Sequence, residues 1–391
     1  MKVKEPVRKY DFWLKNGHVI DPARGIDGVA DVLVRNSRMM PVPEEGIDPK
    51  DVKEIFDCSG YYVFPGLVNY HAHYAWHNNL SSISPEIFEL PNGVTTVCDA
   101  GSTGCAGFEG FLRTTLLPAG VTMKAFINVA AGGLACSNYL ENISPENFDQ
   151  RRLEYLFEMY PEHIAGLKLR IGKDINDGMG LAPLKAAAEL ARSFNTRLAL
   201  HATYPLEPMQ EILPYLGEGD VLCHTLQKMG QYNILDENGR ILQEVWDAKE
   251  RGVIFDCAHG RIHCSFDIFR AAMDQGFLPD MISTDGIGVS MYRTKLFSLP
   301  VVMSRLLALG MPIVDVVRAT TETPAKNLGL EGKVGTLAPG AQADICVMKK
   351  DVRPVTFTDS YGVDLKAEYL LVPQMTLRAG KLVFCDSDFA Y

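Results

Sequence analysis

The sequence VFPGLVNYHAH, at Val63–His73, is an apolar run that leads directly into a His-x-His pair. Residues two apart in a strand point to the same side of the sheet, so the imidazoles of His71 and His73 can approach one metal ion. Taken alone the pair is a weak signal, because histidines at this spacing also occur in packed cores. Evidence that this pair binds a metal must therefore come from other residues of the chain.

Apolar runs bounded by glycine or proline recur through the middle of the chain, with helix-like stretches between several of them. Continuous apolar strands that alternate with helices indicate a parallel sheet covered on both faces. Eight such units over about 265 residues predict an α/β fold of the (β/α)₈ TIM-barrel type, with a doubly wound sheet as the alternative. The predicted strands are Gly66–Tyr70, Val94–Cys98, Met123–Ala131, Ala165–Leu169, Leu198–His201, Val221–His224, Val253–Cys257 and Met281–Ser283.

Three of the intervening helices have clear sequence signals. Ser144 followed by a proline predicts a helix start, and the apolar residues from Leu153 to Tyr160 then keep helical spacing. Pro183–Phe194 and Ser265–Gln275 also have the pattern of helices.

Both ends of the chain have a different pattern, with short apolar runs separated by turn residues. We therefore divide the chain into an N-terminal β-rich part at 1–65, a barrel at 66–330 and a C-terminal β-rich part at 331–391. Neither end carries a repeat or a low-complexity segment.

Further potential metal ligands stand at the ends of later predicted strands. His201, His224 and Asp285 each follow an apolar run, and barrel enzymes place their catalytic groups at the C-terminal ends of strands. Any one of them alone could be a hydrogen-bonded structural residue. Their recurrence in this order predicts a metal site at one mouth of the barrel.

The composition of the chain argues against several classes of partner and location. The formal net charge is −10 and the Lys/Arg residues are dispersed, which argues against a nucleic-acid partner. No apolar stretch approaches the ~18 residues of a membrane span. The start of the sequence lacks the apolar core of a signal peptide, and nine scattered cysteines without a Cys-x-x-Cys motif suggest reduced thiols. We expect a cytoplasmic protein that acts on a small molecule and forms a homo-oligomer.

Two segments resemble signatures of the amidohydrolase superfamily, in particular its dihydroorotase-like amidohydrolase/deacetylase branch. Val63–His73 is similar to the opening strand motif, and Lys333–Asp344 (KVGTLAPGAQAD) is similar to the closing signature. The resemblance spans nearly the whole chain and implies that the two β-rich ends form one small β-sandwich beside the barrel. The family usually has aspartate where this chain has Asn69, a residue expected to orient the motif through hydrogen bonds.

The resemblance also implies a binuclear site. Lys168, in the fourth predicted strand, matches a lysine that this branch carboxylates with carbon dioxide to bridge two divalent metal ions. Burial in an apolar strand disfavours an ammonium group and favours the neutral amine that takes up carbon dioxide, although pairing with a carboxylate is the alternative. The expected ligands are His71, His73, Lys168 and Asp285 for one metal, and Lys168, His201 and His224 for the other.

The implied mechanism is hydrolysis by a metal-activated hydroxide, with Asp285 as the catalytic proton acceptor. Nitrogen and oxygen ligands suit Zn²⁺ best, although Mn²⁺, Fe²⁺, Ni²⁺ or Co²⁺ fit the same set. Arg170 has the strand parity of Lys168 and is a candidate for binding an acidic group of the substrate, with a structural salt bridge as the alternative. His259 is a second candidate substrate contact, whereas Cys98 is interpreted as core packing.

We expect a deacetylase-like hydrolase that cleaves an amide or ester bond of a small, acidic molecule. A cyclic amidase of the dihydroorotase or hydantoinase type is the main alternative, although Tyr74 and Ala75 replace the arginine that dihydroorotase usually has after His-x-His. A deaminase usually carries His-x-x-Glu on the fifth strand, and Tyr204 occupies the glutamate position here. A non-catalytic dihydropyrimidinase-like assembly protein is less consistent with a complete ligand set.

Overall fold

The computed structural model describes residues 8–77, 81–136, 141–176, 178–292 and 298–390. The chain begins with strands, as its short apolar runs and turn residues predict. They are β1 (Tyr10–Asp21), β2 (Ile26–Arg35), β3 (Arg38–Met40), β4 (Val52–Asp57) and β5 (Tyr62–Pro65). β1 pairs antiparallel with β2 and parallel with both β4 and β5.

The next strands form a parallel sheet in sequence order. Each is a nearly uninterrupted buried run, because both faces of such a sheet are covered. The sheet consists of β6 (Leu67–Ala72), β7 (Val94–Asp99), β8 (Thr122–Asn128), β9 (Ile164–Ile171), β10 (Arg197–Ala202), β11 (Val221–Cys223) and β12 (Ile254–Phe255).

An extended segment at 281–286 closes this sheet into a barrel. It is not a regular strand, but it makes parallel bridges at both of its ends, Met281 to Asp256 and Gly286 to Ala72. The Asp285 amide also donates to the His71 carbonyl oxygen at 2.7 Å. The predicted (β/α)₈ barrel is thus confirmed, and its closure places Asp285 directly beside the His-x-His pair.

Helices and helical turns connect the barrel strands and cover the outer face of the sheet. The helix predicted to start at Ser144 begins later: Pro145–Asn147 is a 3₁₀ turn, and the Asp149 side chain caps the α-helix by accepting from the Arg152 amide. The helices are α1 (Pro85–Glu89), α2 (Phe108–Phe111), α3 (Gln150–Met159), α4 (Ala182–Ser193), α5 (Met209–Ile212), α6 (Gln243–Glu250), α7 (Phe266–Met273), α8 (Gly288–Tyr292), α9 (Leu299–Ala308), α10 (Ile313–Thr320) and α11 (Glu322–Asn327).

The last strands return to the N-terminal sheet. They are β13 (Ile345–Thr358), β14 (Asp364–Arg378) and β15 (Lys381–Cys385), and α12 (Ser387–Ala390) follows them. β13 pairs antiparallel with β5, so the two ends of the chain share one mixed sheet. This sheet encloses a hydrophobic core of its own, to which Leu14, Val34 and Ile345 belong.

The long β13–β14 hairpin also reaches the barrel. Phe357 and Leu365, near its far end, pack into the main barrel core, and the Leu371 amide donates to Ser304 Oγ at 2.9 Å. We call residues 359–363 the hairpin tip. The described helices include none that is both long enough and apolar enough to cross a membrane.

Candidate metal centre

A cavity of about 310 Å³ opens at the C-terminal mouth of the barrel. The ends of β6, β9 and β10 meet there with the closing segment, as expected for the functional face of a barrel. Its lining includes His71, His73, Lys168, His201 and Asp285, which come from four different parts of the sequence. His224 is buried and packs against this group.

The first cluster of ligand atoms is formed by His71, His73 and Asp285. Asp285 Oδ1 lies 3.6 Å from His71 Nε2 and 3.4 Å from His73 Nε2, and the donor atoms of all three residues lie within 4.8 Å of one another. Burial alone would raise the pKa of Asp285, but a hydrogen bond from His263 and the neighbouring imidazoles hold it well below its usual range. Asp285 is therefore a carboxylate, the form that binds a cation.

The tautomer of His73 follows from its neighbours. Ser102 Oγ donates its one proton to Asp99 Oδ2 at 2.6 Å, so it must accept from His73 Nδ1, which lies 2.9 Å away. The proton on Nδ1 leaves the lone pair of Nε2 directed at Asp285. Orientation of a ligating histidine through its second nitrogen is typical of metal sites.

His224 and His201 form a second cluster of imidazoles. Their ring centroids are 4.3 Å apart, and His224 Nδ1 donates to the Ala258 carbonyl oxygen at 2.8 Å. His224 Nε2 thus carries a lone pair, is buried, and has no hydrogen-bond partner among the residues that the structure describes. An unsatisfied buried nitrogen is costly in a protein interior, and a bound cation would satisfy it.

The histidines are held in the neutral form that binds metals. Burial lowers the pKa of His71, His201 and His224 well below the usual value. Nearby cations act in the same direction, since Lys168 lowers the pKa of all three and Arg170 also lowers that of His201. Neutral imidazole is the form in which histidine coordinates a cation.

Lys168 lies next to these clusters and is 1% exposed. Its Nζ is 3.5 Å from His71 Nε2 and 3.6 Å from Cys223 Sγ. No carboxylate among the described residues forms an ion pair with it, so the alternative of a structural salt bridge has no partner in that part of the chain. A buried, unpaired lysine is rare in globular proteins and calls for a functional explanation.

The backbone at the site is strained. His224 and Asp285 have φ of 61° and 49°, and Ala258, whose carbonyl oxygen orients His224, has φ of 36°. Non-glycine residues seldom adopt this left-handed conformation, and such residues concentrate at functional sites. The strain turns the side chains of His224 and Asp285 toward the centre from the ends of their strands.

The two residues interpreted as substrate contacts lie in different environments. Arg170 lines the cavity, where its Nη1 donates to Glu141 Oε2 at 2.6 Å. His259 is fully buried outside the cavity lining, with its Nε2 2.9 Å from Arg305 Nη1. The cavity is lined instead by His263, whose Nε2 lies 3.3 Å from Asp285 Oδ2.

Sequence reasoning missed His263 and Asp256. Both are close to the centre: His263 Nε2 lies 3.3 Å from Asp285 Oδ2, and Asp256 Oδ2 lies 3.6 Å from His71 Nδ1. Burial raises the pKa of Asp256 to about 7. Because His259 and His263 stand in one irregular segment, nothing in their spacing distinguishes the histidine that reaches the cavity.

Asn69 occupies the position where the family usually has aspartate, and it supports the His-x-His strand from behind. It is fully buried, its Nδ2 donates to Glu89 Oε1 and Thr284 Oγ1, both at 2.7 Å, and its Oδ1 accepts from the Thr284 amide. Tyr74 donates to the same Glu89 oxygen. The amide thus ties β6 to the closing segment next to Asp285.

Comparison with known proteins agrees with this geometry. Residues 62–383 match the model of the amidohydrolase family. A deacetylase of Brucella anthropi is 31% identical over 357 residues, which cover 89% of this chain and 86% of the relative.

Two solved structures share the fold over 96% of this chain. A crystal structure of a dihydroorotase superposes with a TM-score of 0.85 at 29% identity and is covered to 98% of its own length. A crystal structure of an adenine deaminase gives a TM-score of 0.86 at 24% identity and is covered to 100%. The family match spans most of the chain, and its barrel gathers histidines and an aspartate that could hold a metal: this protein is a hydrolase of the amidohydrolase family.

Proposed function

We propose that the protein is a binuclear metal-dependent deacylase that cleaves an amide or ester bond of a small, acidic molecule. The observation that carries this proposal is Lys168, a buried lysine without a described carboxylate partner, beside His71. The rings of His71 and His224 have centroids 5.1 Å apart, so the two imidazole clusters adjoin at this lysine. The similarity to a deacetylase supports the choice of reaction.

The donor set fits two divalent cations. In this proposal His71, His73 and Asp285 would hold one ion, His201 and His224 would hold the other, and the carboxylated side chain of Lys168 would be a ligand of both. When bound, such ions lower the pKa of a water molecule and polarise the carbonyl group of the substrate. Nitrogen and oxygen donors favour zinc. The unsatisfied Nε2 of His224 supports the second site.

Carboxylation of Lys168 needs only carbon dioxide and the neutral amine. The Nζ lone pair attacks the carbon atom, an N–C bond forms, and the nitrogen releases one proton to the solvent through the cavity. The product is a carbamate with one negative charge and two oxygen atoms. It replaces a cation next to His71 with an anion, which removes the repulsion between Lys168 and metal ions bound to the same histidines.

Asp285 is the proposed proton carrier. Its side chain is 14% exposed at the cavity, and its two oxygens face His73 and His263. As a carboxylate, Asp285 can accept the proton of the attacking water and return it to the leaving amine or alcohol. His263, whose Nε2 lies 3.3 Å from Asp285 Oδ2, holds the carboxylate in one orientation through these transfers.

A cyclic amidase is the second candidate, because the solved dihydroorotase shares both fold and 29% of its sequence with this chain. Opening a cyclic amide uses the same centre and the same proton carrier. A deaminase is less well supported, since Thr203 and Tyr204 follow the fifth barrel strand where a glutamate proton shuttle would be needed.

Location and assembly extend the proposal. We propose a cytoplasmic enzyme, since eight described cysteines are all free thiols. We also propose a homo-oligomer, which sedimentation of the purified protein would test.

The test is Lys168→Ala, measured by elemental analysis and by hydrolysis. The wild type should bind close to two divalent ions per chain after reconstitution with zinc and bicarbonate. The variant should lose metal and activity while its circular dichroism stays native. Formate, acetate or propionate should restore part of the rate, because a short carboxylate offers the same pair of oxygens in the vacated space. Lys124→Ala is a matched control, since Lys124 is a half-buried lysine on the neighbouring β8 and does not line the cavity.

Two results would contradict the proposal. Near-native activity of Lys168→Ala without any added acid would show that no bridging ligand is needed, and the histidines would then belong to a one-metal site. A wild-type metal content of one ion or none after reconstitution would exclude the binuclear centre directly.

A further inference from the structure

The cations that line the cavity are not equivalent. Lys168 belongs to the metal centre, and Arg170 donates to Glu141. Lys173 lies over the Tyr204 ring, with its Nζ 5.1 Å from the ring centroid. Arg261 also lines the cavity and makes neither a hydrogen bond nor an ion pair with any residue that the structure describes.

The backbone that carries Arg261 is fixed on the side of the barrel. The amides of His259 and Gly260 donate to the carbonyl oxygens of Ser283 and Thr284, at 3.0 and 3.1 Å. Gly260 has φ of 48°, and a Cβ at this position would lie 2.6 Å from Asp285 Oδ2. The glycine therefore lets the segment pass directly against the catalytic carboxylate.

The same segment is fixed on its other side by the hairpin tip. The Tyr361 hydroxyl donates to the Ile262 carbonyl oxygen at 3.0 Å, and the Ser360 amide donates to the Cys264 carbonyl oxygen at 3.2 Å. Arg261 thus projects from a backbone held at both ends. A cation on a rigid segment is pre-organised for a ligand, since little backbone entropy is lost on binding.

Arg261 is also close to the reacting centre in the chain. Two residues further on, His263 Nε2 lies 3.3 Å from Asp285 Oδ2. We call residues 172–174, 228–229 and 260–264 the rim of the cavity. A cavity of about 310 Å³ accommodates a small molecule that extends from Asp285 to this rim. The formal charges of Lys173 and Asp174, which also lie at the rim, cancel each other. Arg261 therefore gives the rim its excess positive charge.

We propose that Arg261 selects the substrate by binding its carboxylate while the acyl group lies at the metal centre. This inference rests on the proposed deacylase function and assigns the acid-binding role to Arg261 rather than Arg170. A planar guanidinium offers paired N–H donors that match a carboxylate, and a neutral amide in the same place cannot form the charge-assisted pair. The substrate class is therefore acyl amides or acyl esters that carry a free carboxylate, for which N-acetyl amino acids and O-acetyl 2-hydroxy acids are small probes.

The test uses pairs of probe substrates that differ only in charge. Each N-acetyl amino acid or O-acetyl 2-hydroxy acid is assayed beside its primary amide, with wild type and Arg261→Gln reconstituted with zinc and bicarbonate. Glutamine keeps a polar side chain and removes the charge. The kcat/KM for the acids should fall about tenfold to a hundredfold, mainly through KM, while that for the amides changes less than about threefold. Arg270→Gln, on α7 outside the cavity lining, is the matched control and should change neither.

The outcomes separate this inference from the function beneath it. Equal loss on acids and amides, or a wild type that hydrolyses both equally well, would overturn the role of Arg261 and leave the deacylase intact. Acid-selective loss in Arg170→Met with an unchanged Arg261→Gln would transfer the role to Arg170. Hydrolysis of no probe by the metal-loaded wild type would refute the proposed function, and the inference with it.

Discussion

Tyr361→Phe tests whether the hairpin tip holds the rim of the cavity. The substitution removes a single oxygen atom, which donates to the Ile262 carbonyl oxygen at 3.0 Å and accepts from the Lys228 amide at 2.7 Å. Each hydrogen bond contributes about 0.5–1.5 kcal/mol net. Tyr361 is 36% exposed, so water replaces part of the loss, and we expect about 1–2 kcal/mol in total. That free energy makes the state in which the rim segments are detached from the hairpin tip about 5 to 30 times more populated.

Hydrogen exchange followed by mass spectrometry measures this change without a substrate. Peptides that contain Lys228 and residues 260–264 should exchange faster by that factor, while peptides from β6 to β10 stay unchanged. Tyr369→Phe is the control, because Tyr369 lies on β14 of the same hairpin and its ring contacts Lys350 rather than the rim. Unchanged exchange at both rim segments in a folded Tyr361→Phe protein would refute the reasoning. So would the same increase in the Tyr369 variant.

Two further predictions concern charged residues at the cavity. Arg170→Met should lower kcat/KM for acidic and amide probes alike and destabilise the fold by about 1–3 kcal/mol, because the 9% exposed Glu141 side chain loses its cationic partner and keeps the hydrogen bond from Asn128 Nδ2. Urea denaturation with the paired kinetics checks this, and a KM increase for acids alone would contradict it. Asp285→Asn preserves the size of the side chain but should lower kcat by about 100-fold or more, because an amide cannot carry the proton. A steady-state assay at matched metal content checks this, and a near-native kcat would exclude Asp285 as the proton carrier.

Much of the barrel could be predicted, because buried parallel strands leave a strong mark on the sequence. The apolar runs that lead to His71, His201 and His224 coincide with β6, β10 and β11, and His224 directly follows its strand. The continuous apolar character of these runs is imposed by burial on both faces of the sheet. The site residues could be chosen because a barrel collects the C-terminal ends of its strands at one mouth.

Other features depend on contacts that a linear pattern does not contain. The predicted eighth strand, Met281–Ser283, forms only part of the closing segment at 281–286, which is held by bridges at its ends rather than by a regular ladder. The start of α3 depends on the Asp149 side chain, which caps the helix in place of Ser144. His263 is turned into the cavity by an irregular backbone that includes Ala258 and Gly260 in left-handed conformations.

The pairing of Arg170 with Glu141 illustrates a further limit. The two residues are 29 positions apart, and neither the charge pattern nor the spacing indicates that they meet. Strand parity correctly directs Arg170 toward the cavity, yet the partner that shares its charge comes from a connecting segment. Only the folded structure therefore shows which cation at the cavity is available for a ligand.

The hairpin tip also sets the order in which the enzyme is completed during translation. Tyr361 lies 99 residues after Ile262 and 133 residues after Lys228, so the ribosome releases both rim segments long before the side chain that joins them. A nascent chain that has emerged only as far as Asp344 contains every proposed metal ligand but lacks the tip. Such a chain also lacks Phe357 and Leu365, which pack into the barrel core, so the barrel itself is completed only when the hairpin has emerged. The proposed metal ligands are thus all synthesised before the residues that complete the barrel core and hold the Arg261 segment from its second side.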